Sequence, residues 1–284
     1  MTAPIALVTG AGRGIGRAAV DAFLEAGWRV VAGVRDPAVA AELGAGGPEH
    51  LTAIELDVTR PDQVRRAVDA AEALAGGPID CLVNNAGYGV YGPVEDVDLD
   101  AGREMFETNL FGAAAAIQAV LPGMRRAGRG AIVNVSSIGA HFANPLVGMY
   151  HASKHALHGL SEALALECRP FGVRVVMVEP GMVATGFSAA IRRTSALAAE
   201  GGPYADLAAS LRASFVEWRR RYEVPPERVA EAIVGAAEDP ETPFRLIVGE
   251  DAELLARERA ARDPDAFHEA LIDFLAIDLP RRRG

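Results

Sequence analysis

In the stretch GMYHASKHALHG a tyrosine and a lysine, Tyr150 and Lys154, stand one helical turn apart. Positions i and i+4 share a helix face, so phenol and ammonium would meet the same space. A free tyrosine ionises near pH ~10, too high for efficient proton exchange at neutral pH, and a nearby positive charge favours its phenolate. This pair therefore suggests proton chemistry. Beside it run His151, His155 and His158, with Glu162, also at helical spacing. Zinc takes imidazole and carboxylate ligands, so this second stripe suggests a metal. It is rotated by about 100° from the first. Its residues are expected to face a neighbouring helix or subunit, as packed or interfacial histidines with no metal.

A second chemical feature is the loop LVTGAGRGIG at positions 7–16. The G-x-G-x-x-G fingerprint fails, because Ile15 occupies the place of its last glycine. The pattern present is T-G-x-x-x-G-x-G, with Thr9, Gly10, Gly14 and Gly16. Glycines there let the chain turn tightly and approach a pyrophosphate, and the helix that follows offers unpaired N–H groups to the anion.

Such groups need a rigid frame, and the sequence carries one. Short apolar runs (IALVTG, WRVVAGV, LTAIELDV, IDCLVNNAG, AIVNVSS, VRVVMVEPG and FRLIVG) alternate with longer Ala-rich amphipathic segments. Continuous rather than alternating hydrophobicity suits a strand covered on both faces. Seven such runs predict an α/β fold, a Rossmann-type doubly wound seven-stranded parallel sheet. No repeat or linker divides the chain, so a single domain is expected over 1–284. A substrate-covering insertion is expected at about 182–226 and a helical tail at about 250–284.

Composition removes several function classes. Lys plus Arg is 28 against 38 Asp plus Glu, a net charge of −10, which opposes binding to nucleic-acid backbones. Residues 130–153 carry no charge, but Asn134, Ser136, Ser137, Asn144 and Pro145 interrupt them, so no membrane span is expected. Cys81 and Cys168 lie far apart and read as free thiols, and the N-terminus lacks a basic leader. The expected location is the cytoplasm.

NNAG at 84–87, VNVSS at 133–137, YHASK at 150–154 and PGMVAT at 180–185 join the glycine loop in order. Together they resemble the short-chain dehydrogenase/reductase family. The resemblance implies that Ser137 hydrogen-bonds a substrate carbonyl and that Tyr150 is the general acid/base. It implies that Lys154 binds the nicotinamide ribose and lowers the tyrosine pKa. Asn109, in ETNLFG, matches the residue whose helix kink holds a water linked to Lys154. For the cofactor it implies Gly10, Arg13, Gly14, Ile15 and Gly16 in the loop, and Asp57 and Val58 at the adenine. Asn85, Ala86 and Gly87 would line the adenine-ribose side, with Pro180, Gly181, Val183 and Thr185 at the carboxamide.

Val34 stands where family members preferring NAD carry Asp, and Arg35 follows where those preferring NADP grip the 2′-phosphate, with Arg13 near. Arg–phosphate pairs are strong and specific, so NADP(H) is expected over NAD(H). The aromatic content of the insertion suggests a lipophilic ketone or secondary alcohol, with His141, Phe142, Phe187 and Trp218 as candidate contacts beside Ser137. Steroid-like and natural-product ketones both fit. Redox-neutral epimerisation or dehydration, and a non-catalytic NADP-binding sensor, are the alternatives. The segments 103–126 and 150–169 are the family's usual pairing surfaces, so a homodimer or homotetramer is expected.

Overall fold

A computed structural model describes residues 3–45, 49–195 and 202–277. The apolar runs become β1 (Ile5–Thr9), β2 (Arg29–Val34), β3 (Leu51–Glu55), β4 (Cys81–Asn84), β6 (Gly130–Val135), β7 (Val173–Pro180) and β9 (Arg245–Val248). They form one seven-stranded sheet in the order β3-β2-β1-β4-β6-β7-β9, every neighbour parallel. Two strands of two residues each, β5 (Val90–Tyr91) and β8 (Arg192–Arg193), pair separately and were not legible as strands.

Alternate residues of β1 explain why the run had to be apolar throughout. Ala6 and Val8 join one buried cluster with Phe23, Val229 and Ile233. Ile5 and Leu7 join the opposite one with Val68, Val120 and Leu164. On the first face lie α1 (Gly14–Glu25) and α9 (Pro226–Glu238). On the second lie α3 (Pro61–Ala75), α5 (Ala113–Ala127) and α6 (Gly148–Cys168). Burial of each such aliphatic side chain contributes about 1.5–3 kcal/mol, so both faces hold the sheet.

The strand order reverses between β1 and β4, and a doubly wound sheet opens a crevice at such a switch, outside the carboxyl ends of its strands. The glycine loop leaves β1 there and NNAG leaves β4. A third apolar cluster lies to one side. There α8 (Ala205–Tyr222), α10 (Glu250–Ala261) and α11 (Pro264–Phe274) pack on the loop after β6. Among the described residues no helix is long and apolar enough to cross a membrane.

Candidate active site

Tyr150 and Lys154 lie in the first two turns of α6, beside the end of β6. Ser137 leaves that strand and caps a single 3-10 turn, its Oγ accepting from Gly139 N at 3.1 Å. The same hydroxyl stands beside the Tyr150 phenol and acts to lower its pKa. Lys154 is buried, and its Nζ donates to the Val135 carbonyl at 3.0 Å. Asn109 sits in a π-helical turn, Glu107–Gly112, between α4 (Leu99–Phe106) and α5. Its Oδ1 accepts from Tyr88 N, and its Nδ2 donates to Tyr88 O and to Ser153 Oγ at 3.0 Å. The wide turn thereby reaches the helix of Lys154 through the residue before it.

Burial dominates the electrostatics of the pair. It pushes Tyr150 up to about 12, against the lowering influence of the Ser137 hydroxyl, and pushes Lys154 down to about 8. The resemblance had implied a phenol lowered by the lysine. Here the ammonium is directed at Val135 O, 5.9 Å from the Tyr150 ring centroid, so burial sets the direction, and the implied lowering would come from the lysine together with the positive charge of an oxidised nicotinamide. Desolvation then outweighs Coulombic attraction.

The cradle is tight enough to require its glycines. Gly10 and Gly14 have φ of +66° and +54°, in the left-handed region that favours glycine. A Cβ on Gly10 would stand 2.8 Å from Ala86 Cα. Asn85 braces the loop: its Nδ2 donates to the Thr9 and Gly10 carbonyls. Its Nδ2 thereby fixes the start of the Asn85–Gly87 segment against the loop. Gly87 lies against Asn109, and Ile15 packs under the loop on the first core face.

Arg13 and Arg35 are exposed beside this cradle, and Arg35 makes no ion pair among the described residues. Asp36 does not neutralise it, since its Oδ1 caps α2 (Pro37–Gly44) through Ala38 N at 2.9 Å. Asp57 Oδ1 accepts from the Thr59 amide and hydroxyl, and Val58 is buried against Gly112. Glycines a pyrophosphate can approach, with two free guanidiniums near, fit a phosphorylated dinucleotide.

After β7 the chain turns over the loop, placing the Thr185 side chain on Gly14. Gly181 N donates to Val248 O, Val183 bridges to Val224, and Met182 N donates to Asp251 Oδ2 at 2.7 Å. Asp251 was not foreseen. It is buried, and a Cβ on Gly181 would overlap its carboxylate, so α10 fixes the Pro180–Gly181 turn. In the sequence it reads only as an acidic helix start.

Of the substrate candidates, Phe187 stands at the phenol, ring centroids 5.7 Å apart. Tyr91, also unforeseen, stands 6.0 Å away, with no motif to announce it. Trp218 faces elsewhere: its Nε1 donates to Phe274 O and its ring lies 5.0 Å from Tyr222, so it docks α8 on α11. Phe142 is buried between His151 and Phe267. His141 points at the buried Glu179, Nε2 to Oε1 2.9 Å.

The histidine stripe is not one surface. His151 turns inward and donates from Nδ1 to Gly139 O at 2.8 Å, locking the Ser137 turn; burial lowers it to about 4, so it is neutral. His155 is exposed and bonded to its own helix at His151 O. His158 pairs with Glu162 at 3.2 Å, as its spacing suggests, but also faces Glu179 at 3.5 Å and the His141 ring. His141, His158 and Glu179 thus bring potential ligand atoms within 4.8 Å of one another. The Arg245 guanidinium stands among them, 2.6 Å from His141 Nε2 and 2.9 Å from Glu179 Oε2. Burial would raise Glu179, but hydrogen bonds from His141 and Arg245 hold it below the usual carboxylate value. His151 and His158 therefore both have partners beyond their own helix.

Residues 4–196 match the family model described as short chain dehydrogenase. A 3-ketodihydrosphingosine reductase of Bacteroides thetaiotaomicron is 36% identical over 279 residues, covering 98% of this chain and all of the relative. A short-chain dehydrogenase from Streptomyces avermitilis superposes with a TM-score of 0.82 at 33% identity over 96% of each chain. Another, from Burkholderia cenocepacia in complex with NADP, gives 0.74 at 30% identity over 95% of this chain and 98% of the other.

Proposed function

The chain belongs to the short-chain dehydrogenase/reductase family, and from that premise we propose that it is an NADP(H)-dependent oxidoreductase interconverting a ketone and a secondary alcohol on a lipophilic substrate. The observation that carries the reading is the Ser137 hydroxyl beside the Tyr150 phenol, with buried Lys154 one helical turn behind. The bound nicotinamide supplies or takes the hydride, which no side chain can do. Ser137 Oγ, oriented by Gly139 N–H, donates to the carbonyl oxygen. Tyr150 gives that oxygen its proton in reduction and takes it back in oxidation. Lys154 holds positive charge near the phenol and, by the family resemblance, the ribose hydroxyls. Asn109 and Ser153 fix the helix that carries both groups.

A lipophilic substrate is supported by the aromatic surroundings of Tyr150, with Tyr91 and Phe187 against its ring. It also agrees with the lipid-like substrate in the name of the Bacteroides relative. The same reading includes a homodimer or homotetramer through α5 and α6. Phe111, in the π turn before α5, is 55% exposed and Leu166 on α6 is 72% exposed, side chains such a contact would cover. The test is NADPH consumption, followed by its near-ultraviolet absorbance, with a panel of lipophilic ketones and identification of the alcohol formed. Alcohol formed in step with NADPH loss supports the reading; no turnover of any ketone, or product without net cofactor change, refutes it.

The cofactor choice rests on Arg35. With Asp36 Oδ1 capping its helix and no ion pair on Arg35 among the described residues, the Arg35 guanidinium is available to a 2′-phosphate. A charge-assisted bond contributes about 1.5–3 kcal/mol. Arg35→Ala should therefore raise the KM for NADPH by about 10- to 100-fold and that for NADH by less than about 3-fold. Equal effects on the two coenzymes would remove the NADP assignment.

A further inference from the structure

Tyr91 has no part in the reaction just derived, yet it stands against the reacting phenol. The two ring centroids are 6.0 Å apart and the planes inclined by 59°. Three contacts hold it there. The ring covers Gly89, where a Cβ would come within 2.7 Å of Tyr91 Cε1. Its strand pairs with Arg192–Arg193, and Thr194 N donates to Tyr91 O at 3.0 Å. The next residue, Gly92, donates from its N to Leu146 O at 2.8 Å, in the loop between Ser137 and α6. The backbone is thus sewn both to the insertion and to the catalytic loop.

The hydroxyl contrasts with this. It makes no hydrogen bond among the described residues. Burial of the ring and the neighbouring Tyr150 both raise its pKa, so it keeps its proton while Tyr150 exchanges one. Phe187 supplies a purely apolar neighbour to Tyr150, its ring centroid 5.7 Å away. The two rings that flank Tyr150 are therefore unequal: Tyr91 carries a hydrogen-bond donor, Phe187 only hydrocarbon.

We infer that Tyr91 is a specificity-determining residue whose hydroxyl donates to an oxygen substituent on the carbon next to the reacting carbonyl. The substrate class is then a lipophilic ketone carrying a hydroxyl or similar oxygen beside the carbonyl, its oxygenated end at Tyr91 and its alkyl chain toward Phe187. This inference rests on the ketone-reductase reading above. A ketone without that oxygen leaves the Tyr91 hydroxyl unpaired in a partly closed site, and an unpaired buried polar group is costly.

The test compares a long-chain methyl ketone with the α-hydroxymethyl ketone of equal chain length, in wild type and Tyr91→Phe. Wild type should favour the hydroxylated ketone in kcat/KM by about 10- to 100-fold, and Tyr91→Phe should cut that ratio to about 2 or less. Calorimetric binding of the corresponding diol and simple alcohol should show the same fall in ratio, independently of turnover. If wild type shows no preference, or if Tyr91→Phe weakens both substrates equally, Tyr91 only packs the site and the inference is overturned. If wild type reduces neither ketone yet the binding ratio behaves as stated, the proposed reaction falls while Tyr91 remains a reader of the ligand. If neither turnover nor the binding preference is seen, both fall.

Discussion

Tyr150→Phe should lower kcat for ketone reduction by about 10²- to 10⁴-fold, the usual contribution of a positioned general acid. The substitution removes one oxygen and keeps the ring. Its packing against Tyr91, His151 and Phe187, at centroid separations of 6.0, 5.9 and 5.7 Å, survives. Ser137 keeps its bond from Gly139 N, so the 3-10 turn holds. The melting temperature should therefore stay within about 3 °C of wild type, given that a domain of this size shifts ~2–4 °C per kcal/mol. A stable variant retaining more than about a tenth of the activity would show that the proton comes from elsewhere.

The pH profile of the wild type gives the same argument a sign. Tyr150, pushed up to about 12, stays protonated across the working range. Lys154, pushed down to about 8, loses its ammonium first as pH rises. With NADPH and ketone, kcat/KM should be level below about 8 and fall above it, and Lys154→Met should abolish that falling limb. A limb that persists in Lys154→Met assigns it to another group.

Why some of this was legible in the sequence and some was not has a physical cause in each case. The seven sheet strands were readable because each is buried on both faces and so must be apolar at every position, as alternate residues of β1 show. β5 and β8 are two residues each and lie outside the main sheet, too short for any period to register. Tyr150 and Lys154 stood out by helical spacing, and Ser137 only through the family resemblance. The π turn at Glu107–Gly112 was expected as a kink only through the family resemblance at Asn109, since nothing in the ETNLFG residues themselves announces it.

Partnerships across the sheet were the main loss. Helical periodicity set His151 and His158 on one stripe, but it says nothing of what neighbouring elements carry. Only the fold brings the carbonyl of Gly139 to His151, and Glu179 and Arg245 to the ring cluster of His158 and His141. Trp218 misled for a similar reason. An aromatic in the insertion reads as pocket lining until α11, which lies much later in the chain, supplies Phe274 O for its indole.

Gly16→Ala should cost the protein its cofactor and some of its fold. Gly16 is in the first turn of α1 and is buried, and its φ lies outside the left-handed region, so backbone strain is not the issue. Space is. A Cβ there would overlap the Gly10 carbonyl oxygen and Asn85 Nδ2. Neither can yield easily: Asn85 Nδ2 already bridges the Thr9 and Gly10 carbonyls, and a Cβ on Gly10 would meet the Ala86 backbone, so the loop has no room behind it. Overpacking of this kind costs about 1–3 kcal/mol, which for a domain of this size lowers Tm by roughly 2–12 °C. The loop must also shift away from the pose in which its N–H groups can meet a pyrophosphate. NADPH affinity, read by fluorescence titration, should fall by at least about 10-fold, since a few tenths of an ångström misalign several charge-assisted bonds at once. Gly235→Ala provides the control: it lies within α9, where an added Cβ meets nothing within 4 Å. There the better helix former should leave Tm unchanged or raise it slightly, by about 0.5–1 kcal/mol of stability. Equal behaviour of the two variants would mean that the loop at Gly10, Gly14 and Gly16 is an ordinary turn rather than a cradle fitted to a dinucleotide.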